Sequence, residues 1–297
     1  MRDDILVDVV LERCDALRKS TFWPGGNEIK PEKWLGNFEN EDKRIAALLL
    51  DRFVFYSESA TDHLLTSAWH SILDGGRKSG SKVDPTVLEG SLNNIVFAPV
   101  EGETPNPTDS GNFMCRKARQ VLGVDEDRIV TTREALECAK GGTTVVFLDD
   151  FVGSGDQFIS TWTREYNGYS FNSMKLDNGF SAIYVNLITT YMGLERIFDE
   201  APSVVVSPAH VLNSRSTIFG LIEEGVFDKA EITRFLLKYS VNLRPEEDYI
   251  SDYLPYKNWG YKRLGLLLGF KHSIPDATLP IFWSPGIAGW EPLIERL

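Results

Sequence analysis

The chain has 297 residues, with 31 lysines and arginines against 43 aspartates and glutamates, giving a formal net charge of −12 and a pI near 4.9. A field of that sign repels nucleic acid and anionic membrane, so any phosphate it binds must be held by local groups. The 42% of hydrophobic and 25% of charged residues are those of a folded globular chain. Cys14, Cys115 and Cys138 are far apart and the chain has only four histidines, a pattern that argues against a disulfide scaffold or a zinc site.

In chain order, residues 3–19 have apolar positions near helical spacing (Ile5, Leu6, Val9, Val10, Leu17), with Asp3 and Asp4 at the favourable end. This acidic, amphipathic start lacks the basic, unbroken apolar character of a secretory leader. No apolar run approaches the roughly 18 residues a bilayer span needs. Reduced thiols and the lack of a leader pattern lead to the expectation of a cytoplasmic protein. Phe22-Trp23-Pro24-Gly25-Gly26 forces a turn. Helices are predicted over 43–55 and 60–73, and the polar, glycine-rich stretch 76–85 is expected to separate a helical N-terminal region, 1–85, from the remainder, 86–297.

The pattern then changes. Residues 94–100 (NIVFAPV) predict a strand, 101–111 a polar loop, 112–122 a helix, 129–130 a short strand and 133–139 another helix. Residues 143–148 (TTVVFL) form a nearly all-apolar strand of the kind buried on both faces of a parallel sheet. A helix over 158–166 and strands over 181–189 and 203–207 complete the alternation. The predicted fold is therefore α/β, a doubly wound, mostly parallel sheet with a helical N-terminal region.

The chemistry concentrates after the apolar strand, in Asp149-Asp150-Phe151-Val152-Gly153-Ser154-Gly155-Asp156-Gln157. Ligands of open α/β sheets bind at the carboxyl ends of strands. Glycines let successive amides turn toward one anion, and the following helix adds its positive end. Adjacent carboxylates accept hydrogen bonds from vicinal sugar hydroxyls. A Walker B reading fails because no GxxxxGK[ST] occurs. A solvated strand end remains the plain alternative.

This segment resembles the phosphoribosyl pyrophosphate motif of type I phosphoribosyltransferases. The resemblance implies that Asp149 and Asp150 hold the ribose 2′- and 3′-hydroxyls and that Gly153, Ser154, Gly155, Asp156 and Gln157 cradle the 5′-phosphate. Asp156 stands where that family has a small or neutral residue, and Gln157 where it has threonine or serine. The loop from Glu101 to Gly111, followed by Arg116, Lys117 and Arg119, is similar in position to the family's pyrophosphate loop, although Glu101, Glu103 and Asp109 are unexpected there.

Late in the chain, Trp259 to Gly265 and Gly269 to Trp283 mix aromatic, basic and proline residues. Lys262, Arg263, Lys271 and His272 are candidates to contact a ligand's phosphates, while Phe282 and Trp283 also suit a packed core. His210, after an apolar run, is a weaker candidate. Trp34 to Phe38, Asp149 to Gly155 and His272 to Trp283 together resemble a narrower group, the phosphoribosyltransferase-like proteins of bacterial anti-phage and other conflict systems. The resemblance implies binding of phosphoribosyl pyrophosphate or a nucleotide and Mg²⁺ carried on the ligand's pyrophosphate, with no protein metal ligand, nucleic acid or membrane required. It also implies a partner protein of a defence system. Three readings remain open: transfer or cleavage at ribose C1, a non-catalytic sensor, and an effector acting on nucleotides.

Overall fold

The computed structural model describes residues 3–26, 28–75, 77–78, 81–82, 90, 92–102, 104–244, 256–287 and 289–296. Residue 85, the expected boundary between regions, and Glu103 lie outside the described residues. The chain divides into two compact units, one formed by 1–60 with 213–297 and the other by 61–212. Among the described residues the strands are β1 (Val54–Tyr56), β2 (Arg77–Lys78), β3 (Ser81–Lys82), β4 (Ile95–Pro99), β5 (Thr144–Val152), β6 (Ala182–Thr190), β7 (Val205–Leu212) and β8 (Leu268–Phe270).

The 61–212 unit holds a six-stranded sheet in the order β3-β2-β7-β6-β5-β4. β4 to β7 are parallel, β2 and β3 pair in antiparallel fashion, and β2 adds to β7, also antiparallel. Beyond β4, Ile129 forms a parallel bridge to Phe97, and the Val130 amide donates to the Phe97 carbonyl at 2.9 Å. The chain thus runs from β4 outward to Ile129 and then back past β4 to β5. That reversal makes the sheet doubly wound, and it places the topological switch point between β4 and β5.

Both faces are covered. Residues of alternating parity from β4 to β7 (Ala98, Val145, Phe147, Tyr184, Val206) pack with Ala135, Leu136, Phe158, Trp162, Phe171, Leu194 and Ile197 from the helices Thr132–Lys140, Asp156–Thr163, Phe171–Asn178 and Tyr191–Glu200. Phe158 stacks on Tyr184 with ring centroids 4.2 Å apart. On the other face, Phe97 meets Trp69 of helix Glu58–Gly75 at 5.4 Å, and Ser207 donates to the Ala68 carbonyl. Lys117 of helix Ser110–Leu122 is buried there against Asp62 at 2.9 Å, so its charge is committed to the scaffold.

Most expected elements are present with shifted ends: the helix expected over 43–55 stops at Arg52, because Val54–Tyr56 pairs with β8 as a strand, and the strand expected at 129–130 is the isolated bridge of Ile129 to Phe97. β5 continues past Leu148 to Val152, because Phe151 and Val152 pair with Ile188 and Thr189 of β6. The acids therefore lie inside the strand rather than after it. β7 likewise extends from Val205 to Leu212 and places His210, exposed, opposite Ile188. Helix Asp156–Thr163 starts two residues earlier than predicted, which puts Asp156 and Gln157 in its first turn.

The other unit is built on aromatic packing. Trp34, fully buried, stacks on Phe282 at 5.2 Å and donates its Nε1–H to the Ile281 carbonyl at 2.8 Å. Phe38, Phe235, Tyr239, Trp283 and Trp290 join the same cluster. The N-terminal tryptophan segment and the late proline-aromatic segment thus share one core, with β1 and β8 paired in parallel beside them. Among the described residues, no helix is long and apolar enough to cross a membrane.

Candidate functional site

Two loops leave the sheet at the switch point, one after β4 and one after β5. The strands are in register there, with Pro99 opposite Leu148 and the Val100 amide donating to the Leu148 carbonyl at 3.0 Å. Asp149 and Asp150 follow at once, and both are buried. Asp149 Oδ1 accepts from Ser110 Oγ at 2.7 Å and from the Asp150 amide at 2.9 Å, while Oδ2 accepts from the Tyr184 hydroxyl at 3.1 Å. Burial, then the neighbouring charge of Asp150, pushes the Asp149 carboxyl well above the ordinary carboxylate range despite these donors. A carboxylate offers about four lone-pair sites, so three donors leave Asp149 little spare capacity. It acts first as the brace of the strand end.

Ser110 opens helix Ser110–Leu122, and its neighbour Gly111 lets that helix start directly on the end of β4. A Cβ at Gly111 would stand 2.3 Å from the Val100 carbonyl oxygen. The helix end that supplies Ser110 can therefore reach Asp149 only because residue 111 has no side chain.

The loop after β5 is clamped from helix Tyr191–Glu200. Thr190 caps that helix by accepting from the Gly193 amide at 3.1 Å, and it donates to the Gly153 carbonyl. A Cβ at Gly193 would lie 2.6 Å from that same carbonyl oxygen. Gly155 takes φ +81°, the left-handed conformation that turns the chain into helix Asp156–Thr163. The first amides of that helix are without intrahelical acceptors and carry its positive end. The Asp156 carboxylate is engaged on both oxygens: Ser154 Oγ donates to one, and Arg196 pairs with the other. Arg196 also binds Glu200 at 2.8 Å.

The loop after β4 disposes of its acids in a similar way. Glu101 pairs with Arg164 and accepts from the Tyr166 hydroxyl at 2.9 Å. Its amide donates to Thr161 Oγ1 at 3.0 Å. Asp109 turns inward and accepts from the Gly102 and Asn106 amides at 2.9 and 3.0 Å. These carboxylates are structural parts of the loop.

Asp149, Asp150, Gly153, Ser154, Gly155, Asp156 and Gln157 thus come together at one strand end and one helix start of the 61–212 unit. Lys262, Arg263, Lys271 and His272 belong to the other unit. Lys262 and Arg263 sit there on consecutive left-handed backbone positions at φ 52° and 58°. Lys271 pairs with Glu28, and His272 lies 5.2 Å from the Phe270 ring. Sequence reasoning missed Ser110, Tyr184, Thr190, Gly193 and Arg196. The one signal pointing to them was a threonine cap ahead of the amphipathic run at 191–200.

Among the described residues, one group of acids has its oxygens close enough together to hold a metal: Glu39, Glu41 and Asp42. Lys238 reaches Glu39 and Asp42 at 2.7 Å each, and Arg234 reaches Asp42 at 2.8 Å, so side-chain cations already fill it. No curated protein matches the chain. The PRTase-CE family model matches residues 31–296, from the helix bearing Trp34 through both loops to the C-terminal aromatic segment, and the chain belongs to that phosphoribosyltransferase-like family.

Proposed function

We propose that the crevice between the ends of β4 and β5 binds a 5-phosphoribosyl compound, phosphoribosyl pyrophosphate or a nucleotide. The observation that carries this reading is the pairing, at the switch point, of an acid pair in β5 with a glycine loop clamped onto a helix N-terminus. In this reading the amides of Gly153 to Gln157 face the 5′-phosphate, and Asp150, positioned by Asp149, takes the ribose hydroxyls. The loop after β4 would lie along the pyrophosphate. Mg²⁺ would arrive on the ligand's own oxygens and water, a coordination it favours, and would offset the charge of a leaving pyrophosphate. The chain's contribution to transfer at ribose C1 would be orientation and fixed dipoles in a partly closed site. Lys262, Arg263, Lys271 and His272 remain proposals for phosphate contact.

A second reading, a sensor that binds without turnover, is favoured by the commitment of Glu101, Asp109 and Asp156 to internal partners. A role beside a partner protein in bacterial defence belongs to the same proposal and is supported by the sequence resemblance. The test is calorimetric titration of the full chain with phosphoribosyl pyrophosphate and Mg²⁺, beside an Asp149→Asn, Asp150→Asn variant. Binding that the variant loses is the expected result. Release of pyrophosphate with any base acceptor then separates enzyme from sensor. Equal binding by both proteins would overturn the assignment of this crevice.

A further inference from the structure

The loop that this reading gives to the 5′-phosphate contains a carboxylate, Asp156, in the first turn of the helix whose amides face the anion. Left alone, that charge would oppose a phosphate a few ångströms away. The structure shows why it need not. Arg196, on the neighbouring helix Tyr191–Glu200, pairs with Asp156 Oδ1, while Ser154 Oγ donates to Oδ2. Arg196 Cδ would be 3.7 Å from a Cβ placed on Gly155, so the arginine stem lies along the loop itself. Thr190, one turn and a half earlier, binds the Gly153 carbonyl, which ties the same helix to both ends of the loop.

We infer that Arg196 is a positioning residue of the phosphate loop: it cancels the charge of Asp156 and, through Asp156 and Ser154, holds the loop in its anion-accepting shape. The inference rests on the proposed phosphoribosyl reading. It also accounts for the departure of Asp156 from the neutral residue expected there. Asp156 is the charge that has to be cancelled, so removing Arg196 alone should be worse than removing Arg196 together with the acid.

The experiment is calorimetric titration of the full chain and its variants with phosphoribosyl pyrophosphate plus Mg²⁺ and, separately, with adenosine monophosphate. Arg196→Ala is expected to bind at least about tenfold more weakly, a loss of about 1.4 kcal/mol, because Asp156 is left uncompensated. Asp156→Asn combined with Arg196→Ala is expected to regain most of the affinity, and Arg196→Lys to keep part of it. Asp156→Asn alone, which retains Arg196, should bind as tightly as the native chain or more so. That variant keeps the inference testable if Arg196→Ala fails to fold. Native-like binding by Arg196→Ala, a loss that Asp156→Asn does not relieve, or weakened binding by Asp156→Asn alone would each overturn the inference and leave the functional reading standing. Failure of the native chain to bind either ligand would overturn the reading, and the inference with it.

Discussion

Replacing Gly193 by alanine tests the site at its tightest point. The added Cβ would stand 2.6 Å from the Gly153 carbonyl oxygen and 2.8 Å from Val152 Cγ1, whereas ordinary contact begins at 3.4 Å. The loop or the helix must therefore retreat by roughly 0.6–0.8 Å, the difference between those figures. Neither obstacle is the far end of a flexible side chain. Retreat also stretches the bond from Thr190 to the Gly153 carbonyl, the clamp on the loop. Overpacking of this kind costs about 1–3 kcal/mol of stability. Misplacing groups by about 1 Å can cost up to about a hundredfold in function, so ligand affinity should fall about ten- to a hundredfold. The assay is titration with phosphoribosyl pyrophosphate and Mg²⁺, read beside the urea midpoint. Gly141→Ala is the control, since its Cβ would meet only the Cys138 carbonyl oxygen, at 3.4 Å. A Gly193→Ala protein that binds like the native chain would refute the argument that this helix shapes the loop.

Asp149→Asn should stabilise the protein at pH 8 while weakening ligand binding. The folded pKa is raised, so the folded state holds the proton longer than the unfolded one. Stability therefore falls as pH climbs from about 4 through the folded pKa, on the order of 1 kcal/mol per unit. Melting temperatures at pH 5 and pH 8 should converge in the variant, and an unchanged slope would count against the burial argument. Asp42 behaves oppositely. Burial alone would raise it, but bonds from Lys238, Arg234 and Tyr239 outweigh that and hold it below its usual range. Its contribution is present above about pH 4 and lost as pH falls through the folded pKa, so Asp42→Asn should lower the melting temperature at pH 7 and flatten the acid limb. In the aromatic core, Trp34→Ala should cost about 3–5 kcal/mol in the urea midpoint. Trp34→Phe should cost about 1–2 kcal/mol, because it leaves the Ile281 carbonyl without its donor.

The parts of the site legible in the sequence were those written within one stretch of chain. An all-apolar run followed by two acids and a glycine loop announces a buried strand, its end and a helix start, and all three are present in order. The length of β5 was not legible, because pairing of Phe151 and Val152 is decided by β6, some 37 residues away in the register Phe151 to Ile188. The clamps on the loop escaped for the same reason: Arg196 is 40 residues from Asp156, and Ser110 is 39 from Asp149. The late basic residues were singled out by charge, but charge alone does not tell which unit a residue packs into. Trp34 and Phe282, both large and apolar and far apart in the sequence, are fully buried against one another, a contact that no local pattern announces.

For the proposed phosphoribosyl ligand, charges near the crevice and charges far from it act differently. Near the crevice, Asp156, Glu101 and Asp109 are each matched by an arginine, a hydroxyl or amides, so little bare negative charge from them faces the ligand. Far away, the net charge of −12 is not matched and repels a phosphorylated sugar during approach. Salt acts on the second and hardly on the first. Raising ionic strength from 0.01 to 0.15 M shortens the screening length from about 30 to about 8 Å, which removes the long-range repulsion and leaves the short contacts inside the loop intact. The association rate of a phosphoribosyl ligand, followed by stopped-flow fluorescence of Trp162, Trp69 and the other tryptophans, should therefore rise with salt over that range while the dissociation rate changes little. A rate that falls with salt would mean that the ligand is steered by a positive patch, and that the crevice is not where the incoming phosphate first meets the protein.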